Sequence, residues 1–165
     1  MTMARVLVAG VGNIFLTDDG FGSEVVRHLV GAPCAEGVYV RDFGVGAVHL
    51  AYELDHGYDT VVLVDASPRG ERPGTLSVIE PELDGDAVAD GALLFDPHSM
   101  TPDTALAILS RAGDRVGRVV VVACEPASVE EGLGLTPVVA GAVDDAVVLV
   151  RNLIEEAVGA RTGPV

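Results

Sequence analysis

The stretch that decides the fold is Gly10-Val-Gly-Asn-Ile-Phe-Leu-Thr-Asp-Asp-Gly-Phe-Gly22, which connects an apolar strand to a helix. The strand is predicted over Arg5 to Ala9 (RVLVA). After the stretch, apolar side chains recur at the spacing of one helix face: Phe21, Val25, Val26 and Leu29. The glycine-rich stretch is therefore a strand-to-helix turn, a place where α/β proteins build ligand sites.

This turn partly matches the fingerprint of dinucleotide-binding folds. Gly10 and Gly12 occupy the first two glycine positions, and Asp42 lies at the end of the next predicted strand. Phe15, however, stands where a third glycine or alanine would let helix and strand pack closely. A dinucleotide-binding module is therefore the weaker alternative.

Two adjacent acids, Asp18 and Asp19, stand near the start of the predicted helix. They would place negative charge against a bound pyrophosphate, which argues further against a nucleotide. A helix dipole favours anions at its N-terminus, and one acid there can serve as an N-cap. The pair therefore either caps the helix or holds a cation, and the residues alone leave both interpretations open.

Composition limits the class of protein and its partners. The chain has 165 residues, which predicts a single domain over 1–165, with 49% hydrophobic but only 4% aromatic residues. Its core must therefore be built from aliphatic side chains, and valine-rich runs favour a parallel sheet. The formal net charge of -15 argues against binding to nucleic acid or to an anionic membrane. No apolar run reaches the roughly 20 residues of a membrane span, and no secretion signal is recognisable, so we expect a cytoplasmic protein.

The remaining elements alternate between strands and helices. Strands are predicted at Val38 to Asp42, Thr60 to Asp65 and Arg118 to Cys124, and helices at 47–54, 101–113 and from Thr136-Pro137 onward. The segment between Asp65 and Thr75 is too short for a crossover, so Thr75 to Glu80 is predicted as an antiparallel edge strand. The pattern predicts a three-layer α/β/α sandwich with a mostly parallel sheet of about five strands.

Several acids and one histidine follow the predicted strands. The residues concerned are Asp18, Asp19, Asp42, Asp65 and His98. Carboxyl ends of parallel strands share one edge of the sheet, where such proteins bind ligands. Taken singly, each residue is an ordinary turn residue, but two carboxylates about 5 Å apart repel by roughly 3 kcal/mol at an effective dielectric constant of 20. A divalent metal would relieve that repulsion, and one histidine with two carboxylates suits nickel, zinc or iron.

No nucleophilic side chain is indicated by a motif. Ser99 adjoins His98, but there is no Gly-x-Ser-x-Gly elbow. Any hydrolysis would therefore use water activated or oriented around a metal.

At this point the sequence resembles the maturation endopeptidases of nickel-iron hydrogenases, over about residues 5 to 157. The matching segments are Val11-Gly-Asn, Asp18-Asp-Gly-Phe-Gly22, Asp42-Phe-Gly44, Val64-Asp-Ala66, Pro97-His98 and Pro126-Ala-Ser-Val-Glu-Glu-Gly-Leu-Gly-Leu-Thr-Pro137. The last segment is the most specific, because a run of this composition directly before a helix is rare by chance.

The resemblance implies an α/β/α enzyme that removes a C-terminal extension from the hydrogenase large-subunit precursor after nickel insertion. It assigns contact with the metal, and hence catalysis, to Asp19, Asp65 and His98. The nickel would be supplied by the substrate, or a divalent metal would be bound. Asp42 and Gly44 match the family's substrate-recognition loop. A non-catalytic nickel-binding chaperone would use the same ligands and is the main alternative.

Overall fold

The sheet of the protein is mostly parallel. A computed structural model describes residues 2–83 and 100–160. Within these ranges the strands are β1 (Val6–Val11), β2 (Val38–Gly44), β3 (Tyr58–Ala66), β4 (Leu76–Ile79) and β5 (Val116–Cys124), in the order β2-β1-β3-β5-β4. β1 pairs in parallel with β2 and β3, and β3 pairs in parallel with β5. β4 is antiparallel to β5 at the sheet edge, as the short connection before it predicts.

Helices cover both faces of this sheet. They are α1 (Phe21–Val30), α2 (Ala47–Leu54), α3 (Pro102–Ala112), α4 (Pro137–Ala140) and α5 (Val143–Gly159). α2 and α3 pack on one face, and α1, α4 and α5 pack on the other. The two cores consist largely of valine, leucine and alanine, so the predicted three-layer α/β/α sandwich is confirmed. The prediction of one domain extends beyond the described residues and stays a prediction.

The long final helix predicted from Thr136 is wrong in one respect, because the structure divides it. α4 ends at Ala140 and α5 begins at Val143, with a tight turn in which the Ala142 N–H donates to the Val139 carbonyl (3.0 Å). Gly141 lies in this turn, and glycine is among the weakest helix formers. Val139 and Val143 are buried on either side of the break, so the apolar stripe continues although the helix does not.

Helix α1 lies unusually close to the sheet at Gly22. A Cβ atom there would overlap the Val64 carbonyl oxygen and lie 2.5 Å from that of Val11. The close contact that the third glycine makes in dinucleotide-binding turns is thus made here by Gly22, seven residues after Phe15. Phe15 itself is 63% exposed.

None of the helices in the described ranges is long and apolar enough to cross a membrane.

Replacing Gly22 with alanine should destabilise the protein by about 1–3 kcal/mol, because the added methyl meets rigid backbone on two strands. Gly31→Ala is the matched control, since a Cβ there meets nothing within 4 Å. Urea unfolding of both variants measures the difference. Equal midpoints for the two variants would contradict this account of the contact.

Candidate functional site

The site lies where the strand order of the sheet reverses. β2 and β3 flank β1 on opposite sides, so the loops that follow β1 and β3 diverge there. Asp19 lies in a short 3-10 turn (Thr17–Gly20) after β1, and Asp65 is the penultimate residue of β3. These are two of the three residues predicted to contact a metal.

Asp65 is a buried carboxylate with an unpartnered oxygen. It is 1% exposed, and its Oδ1 accepts a hydrogen bond from the Ala66 N–H (2.8 Å). Its Oδ2 is buried, and no group within residues 2–83 and 100–160 forms a hydrogen bond with it. Burial and the neighbouring charge of Asp19 raise the pKa of Asp65 well above its ordinary value, and the Ala66 bond offsets only part of this. An unsatisfied buried oxygen of this kind is rare in folded proteins and marks a functional candidate.

Asp19 is held beside Asp65 by the turn that precedes it. The Asn13 N–H donates to Asp19 Oδ2 (2.8 Å). Burial raises the pKa of the Asp19 carboxyl, and the bond from Asn13 lowers it in part. The charge of Asp19 in turn contributes to the raised pKa of Asp65.

Gly12 makes this juxtaposition possible. Its φ of 127° is a conformation that side chains rarely adopt, and a Cβ there would overlap the Asp19 carbonyl oxygen. The same Cβ would lie 3.4 Å from Asp65 Oδ1. The second glycine of the nucleotide-like turn thus creates room for two acids.

The donor set of Asp19 and Asp65 fits a cation. All the ion pairs found among the described residues involve other carboxylates. Within these residues, no arginine compensates the charge of Asp19 or Asp65. The buried Asp65 Oδ2 has no hydrogen-bond partner in the described ranges, and carboxylate oxygens of this kind suit a divalent metal. No group of three metal-binding side chains forms within 2–83 and 100–160, and the predicted third ligand, His98, lies outside these ranges.

Asp18 points away from the pair and has a different role. It is fully buried, and its carboxylate accepts from the N–H groups of Ala127 (2.8 Å), Ser128 (3.0 Å) and Thr136 (2.7 Å), and from the Thr136 hydroxyl. Burial alone would raise the pKa of Asp18, but these bonds together lower it below its ordinary value.

The capping interpretation of Asp18 and Asp19 is therefore wrong. The N-cap of α1 is Gly20, which makes no side-chain capping bond. Asp18 anchors a distant loop instead. Sequence reasoning missed that role because its partners lie 109 to 118 residues further along the chain.

Asp42 and Gly44 lie beside the same turn. Asp42 Oδ1 accepts from the Ser23 hydroxyl (2.8 Å) and the Gly44 N–H (2.9 Å). The Gly44 carbonyl in turn accepts from the Gly12 N–H (2.9 Å), and the φ of Gly44 is 54°, a left-handed conformation that bends the loop. Asp42 also lines a groove of about 800 Å³ beside α1 and the segment before α4.

Fold and site together define an α/β/α protein with a carboxylate pair at the switch point of its sheet. The family model of the hydrogenase maturation proteases matches residues 24–153, so the chain belongs to that family. Members of the family are peptide hydrolases of hydrogenase maturation.

Similar proteins span nearly the whole chain. The coenzyme F420 hydrogenase subunit delta of Methanothermobacter thermautotrophicus is 30% identical over 92% of this chain and 95% of its own length. The hydrogenase 2 maturation protease of Escherichia coli is 28% identical, with 92% of each chain covered. The structure of the hydrogenase-maturating endopeptidase HybD from Escherichia coli superposes with a TM-score of 0.76 at 27% identity, covering 93% of both chains.

Asp65→Asn should make the protein more stable at pH 8 in chelator-treated buffer, by about 1–3 kcal/mol. Folding raises the pKa of Asp65, so the wild-type protein has its full stability at a pH below the pKa of an unfolded aspartate. It loses stability as the pH rises through the folded-state pKa, because the buried carboxyl then ionises. The gain should therefore shrink towards pH 4. Urea unfolding across this range measures it, with the exposed Asp114→Asn as control. Lower stability of Asp65→Asn at every pH would contradict the account.

Asp18→Asn should have the opposite effect, a loss of about 2–3 kcal/mol at neutral pH, because an amide nitrogen would face backbone donors. The pKa of Asp18 is lowered, so its stabilisation is present above the unfolded pKa and is lost as pH falls through the folded pKa. The deficit should therefore narrow below about pH 4. The same unfolding series tests it, and a deficit that is absent at pH 7 would refute the anchoring role.

Proposed function

We propose that this protein removes the C-terminal extension of a nickel-iron hydrogenase large-subunit precursor after nickel insertion. Family membership establishes a hydrogenase maturation protease. The substrate, the nickel requirement and the residues that recognise the metal are the proposal. It includes a cytoplasmic location, which stays a prediction.

The observation that carries the proposal is the unpartnered Oδ2 of Asp65 beside Asp19. A buried carboxylate next to a half-buried one is unfavourable without a compensating cation, and a cation that arrives with the substrate would relieve the repulsion. Binding would then depend on whether the precursor carries its metal. This gives a physical basis for cleaving only a precursor into which nickel has been inserted.

The proposed ligands are Asp19, Asp65 and His98. Asp19 and Asp65 would contribute carboxylate oxygens, and His98 would contribute an imidazole nitrogen, a donor that nickel accepts readily. The same three residues would hold the scissile peptide and a water molecule close together. In the hydrolysis, the water oxygen bonds to the carbonyl carbon, the C–N bond breaks, and a proton passes to the leaving nitrogen.

Asp42 and Gly44 are proposed to recognise the extension. Their loop is bent and is joined to the Gly12 turn by a backbone hydrogen bond. Ser23 and Gly44 both bind Oδ1 of Asp42, and Oδ2 accepts no hydrogen bond from the described residues, so we expect it to receive a donor from the substrate. The groove that Asp42 lines can accommodate an extended chain.

We expect the enzyme to shorten a nickel-loaded large-subunit precursor and to leave the nickel-free precursor intact, because only the loaded form supplies the missing cation. Intact mass spectrometry after incubation with each precursor measures this. Equal cleavage of both precursors would show that nickel in the substrate does not trigger cleavage. If neither is cut but the loaded precursor binds, a non-catalytic nickel-binding chaperone becomes the better description.

Asp65→Asn and His98→Ala should each lower the cleavage rate at least about 100-fold, the scale of losing a group that stabilises the transition state. Asp114→Asn and His56→Ala are the matched controls, since both residues are exposed and remote from the pair. All four variants should remain folded by circular dichroism. Wild-type cleavage by His98→Ala would eliminate His98 as a ligand.

A further inference from the structure

Two loops beside the carboxylate pair expose large apolar side chains. The first loop follows β1 and contains Ile14 (47% exposed) and Phe15 (63%). The second precedes α4 and contains Val129 (52%) and Leu133 (75%). We call these four side chains the paired-loop surface. Contiguous patches of exposed apolar side chains mark interaction sites, whereas single exposed apolar residues are ordinary.

The backbone beneath this surface is fixed by pairing between the loops. The Thr17 N–H donates to the Gly132 carbonyl (3.0 Å), and the Gly132 N–H donates to the Phe15 carbonyl (2.9 Å). The Asp18 N–H donates to the Ser128 carbonyl (3.1 Å), and the Asp18 carboxylate binds the second loop again. The apolar side chains are therefore presented by an ordered backbone, which lowers the entropy cost of binding a partner.

A strained backbone conformation at Thr17 also indicates that contacts between the two loops hold the first loop in place. Thr17 has a φ of 52°, a conformation that costs a non-glycine residue about 1 kcal/mol or more. Its hydroxyl donates to the Glu130 carbonyl (2.6 Å). The pairing of the two loops holds Thr17 in this unfavourable conformation.

The charge around the surface selects the chemistry of the partner. Glu130 and Glu131 are exposed and lack an ion-pair partner among the described residues. Residues 11–20 and 126–137 contain no arginine, lysine or histidine. A partner that carries a basic side chain next to apolar ones would be complementary to this combination.

The paired-loop surface is also continuous with the proposed site. Ile14 follows Asn13, whose N–H holds Asp19. Ile14 and Leu133 line the same groove as Asp42. A chain that lies on this surface could therefore enter the groove that Asp42 lines.

We propose that the paired-loop surface is the docking site for the large-subunit precursor, through a segment with apolar side chains adjacent to a basic residue. This inference rests on the proposed function and extends it by naming the surface that binds the substrate. It assigns Phe15 and Leu133 to substrate affinity and leaves the chemical step to the carboxylate site.

The test compares Phe15→Ser and Leu133→Ser, singly and combined, with Tyr52→Ser and Val148→Ser. The control residues are 68% and 55% exposed and lie on α2 and α5, away from the surface. We expect the double variant to raise KM for the nickel-loaded precursor at least about tenfold, with kcat within about twofold and Tm unchanged. The controls should keep wild-type KM. A wild-type KM for the double variant would overturn the proposal.

The charge contribution is tested with Glu130→Gln/Glu131→Gln. This variant should weaken binding of the precursor and flatten its dependence on salt concentration, because screening then has less attraction to reduce. Glu155→Gln, an exposed acid on α5, should retain the wild-type salt dependence. If precursor binding by this double variant depends on salt concentration as it does in the wild type, the partner segment does not use a basic residue here.

Direct binding separates this inference from the proposed function. If the wild-type protein cleaves no precursor, the proposed function fails, and calorimetry with the same precursor still decides whether Phe15→Ser/Leu133→Ser weakens binding. Sedimentation of the protein alone provides a second check. If the wild type self-associates and the double variant does not, the surface is an interface between copies of this chain and the proposal is wrong.

Discussion

The close approach of the turn after β1 to strand β3 determines the rest of this structure. Gly22 allows the backbone of α1 to touch the carbonyls of two strands, and Gly12 allows the turn to lie against Asp19 and Asp65. A side chain at either position would push the turn outward. The two acids would then separate, and water would reach Asp65, which is now buried. The same two glycines therefore allow both the compact backbone packing and the close approach of the two carboxylates.

The adjacent acids on this turn meet opposite environments. Asp18 is surrounded by backbone donors and stabilises the fold as a charged group, whereas Asp65 and Asp19 lie where ionisation is disfavoured. Asp18 thus joins the two loops, whereas the adjacent Asp19 has no compensating cation among the described residues. Holding the unsatisfied pair lowers the stability of the protein alone, a cost that functional sites commonly carry. Under the proposed function, a substrate that brings compensating charge would recover that cost.

The sequence predicted the architecture well because its local signals agree. Alternating apolar strands and helices gave the layers, and the short segment before Thr75 gave the antiparallel edge. The break at Gly141 was missed because the apolar stripe runs through it unchanged. The role of Asp18 could not be predicted, since hydrogen bonds to residues more than 100 positions away leave no local pattern. The turn resembled a nucleotide loop because both need glycines for close backbone approach, and Phe15 and the two acids distinguish it from one.

The pairing of Asp65 with Asp19, without a compensating cation among the described residues, underlies both the site and the function proposed for it. A carboxyl carbon-13 NMR titration of the metal-free protein, assigned with Asp65→Asn, measures it directly. We predict that Asp65 titrates well above the ordinary aspartate range, and that its pKa falls in Asp19→Asn while burial keeps it raised. An ordinary pKa for Asp65, or one that Asp19→Asn leaves unchanged, would contradict the account.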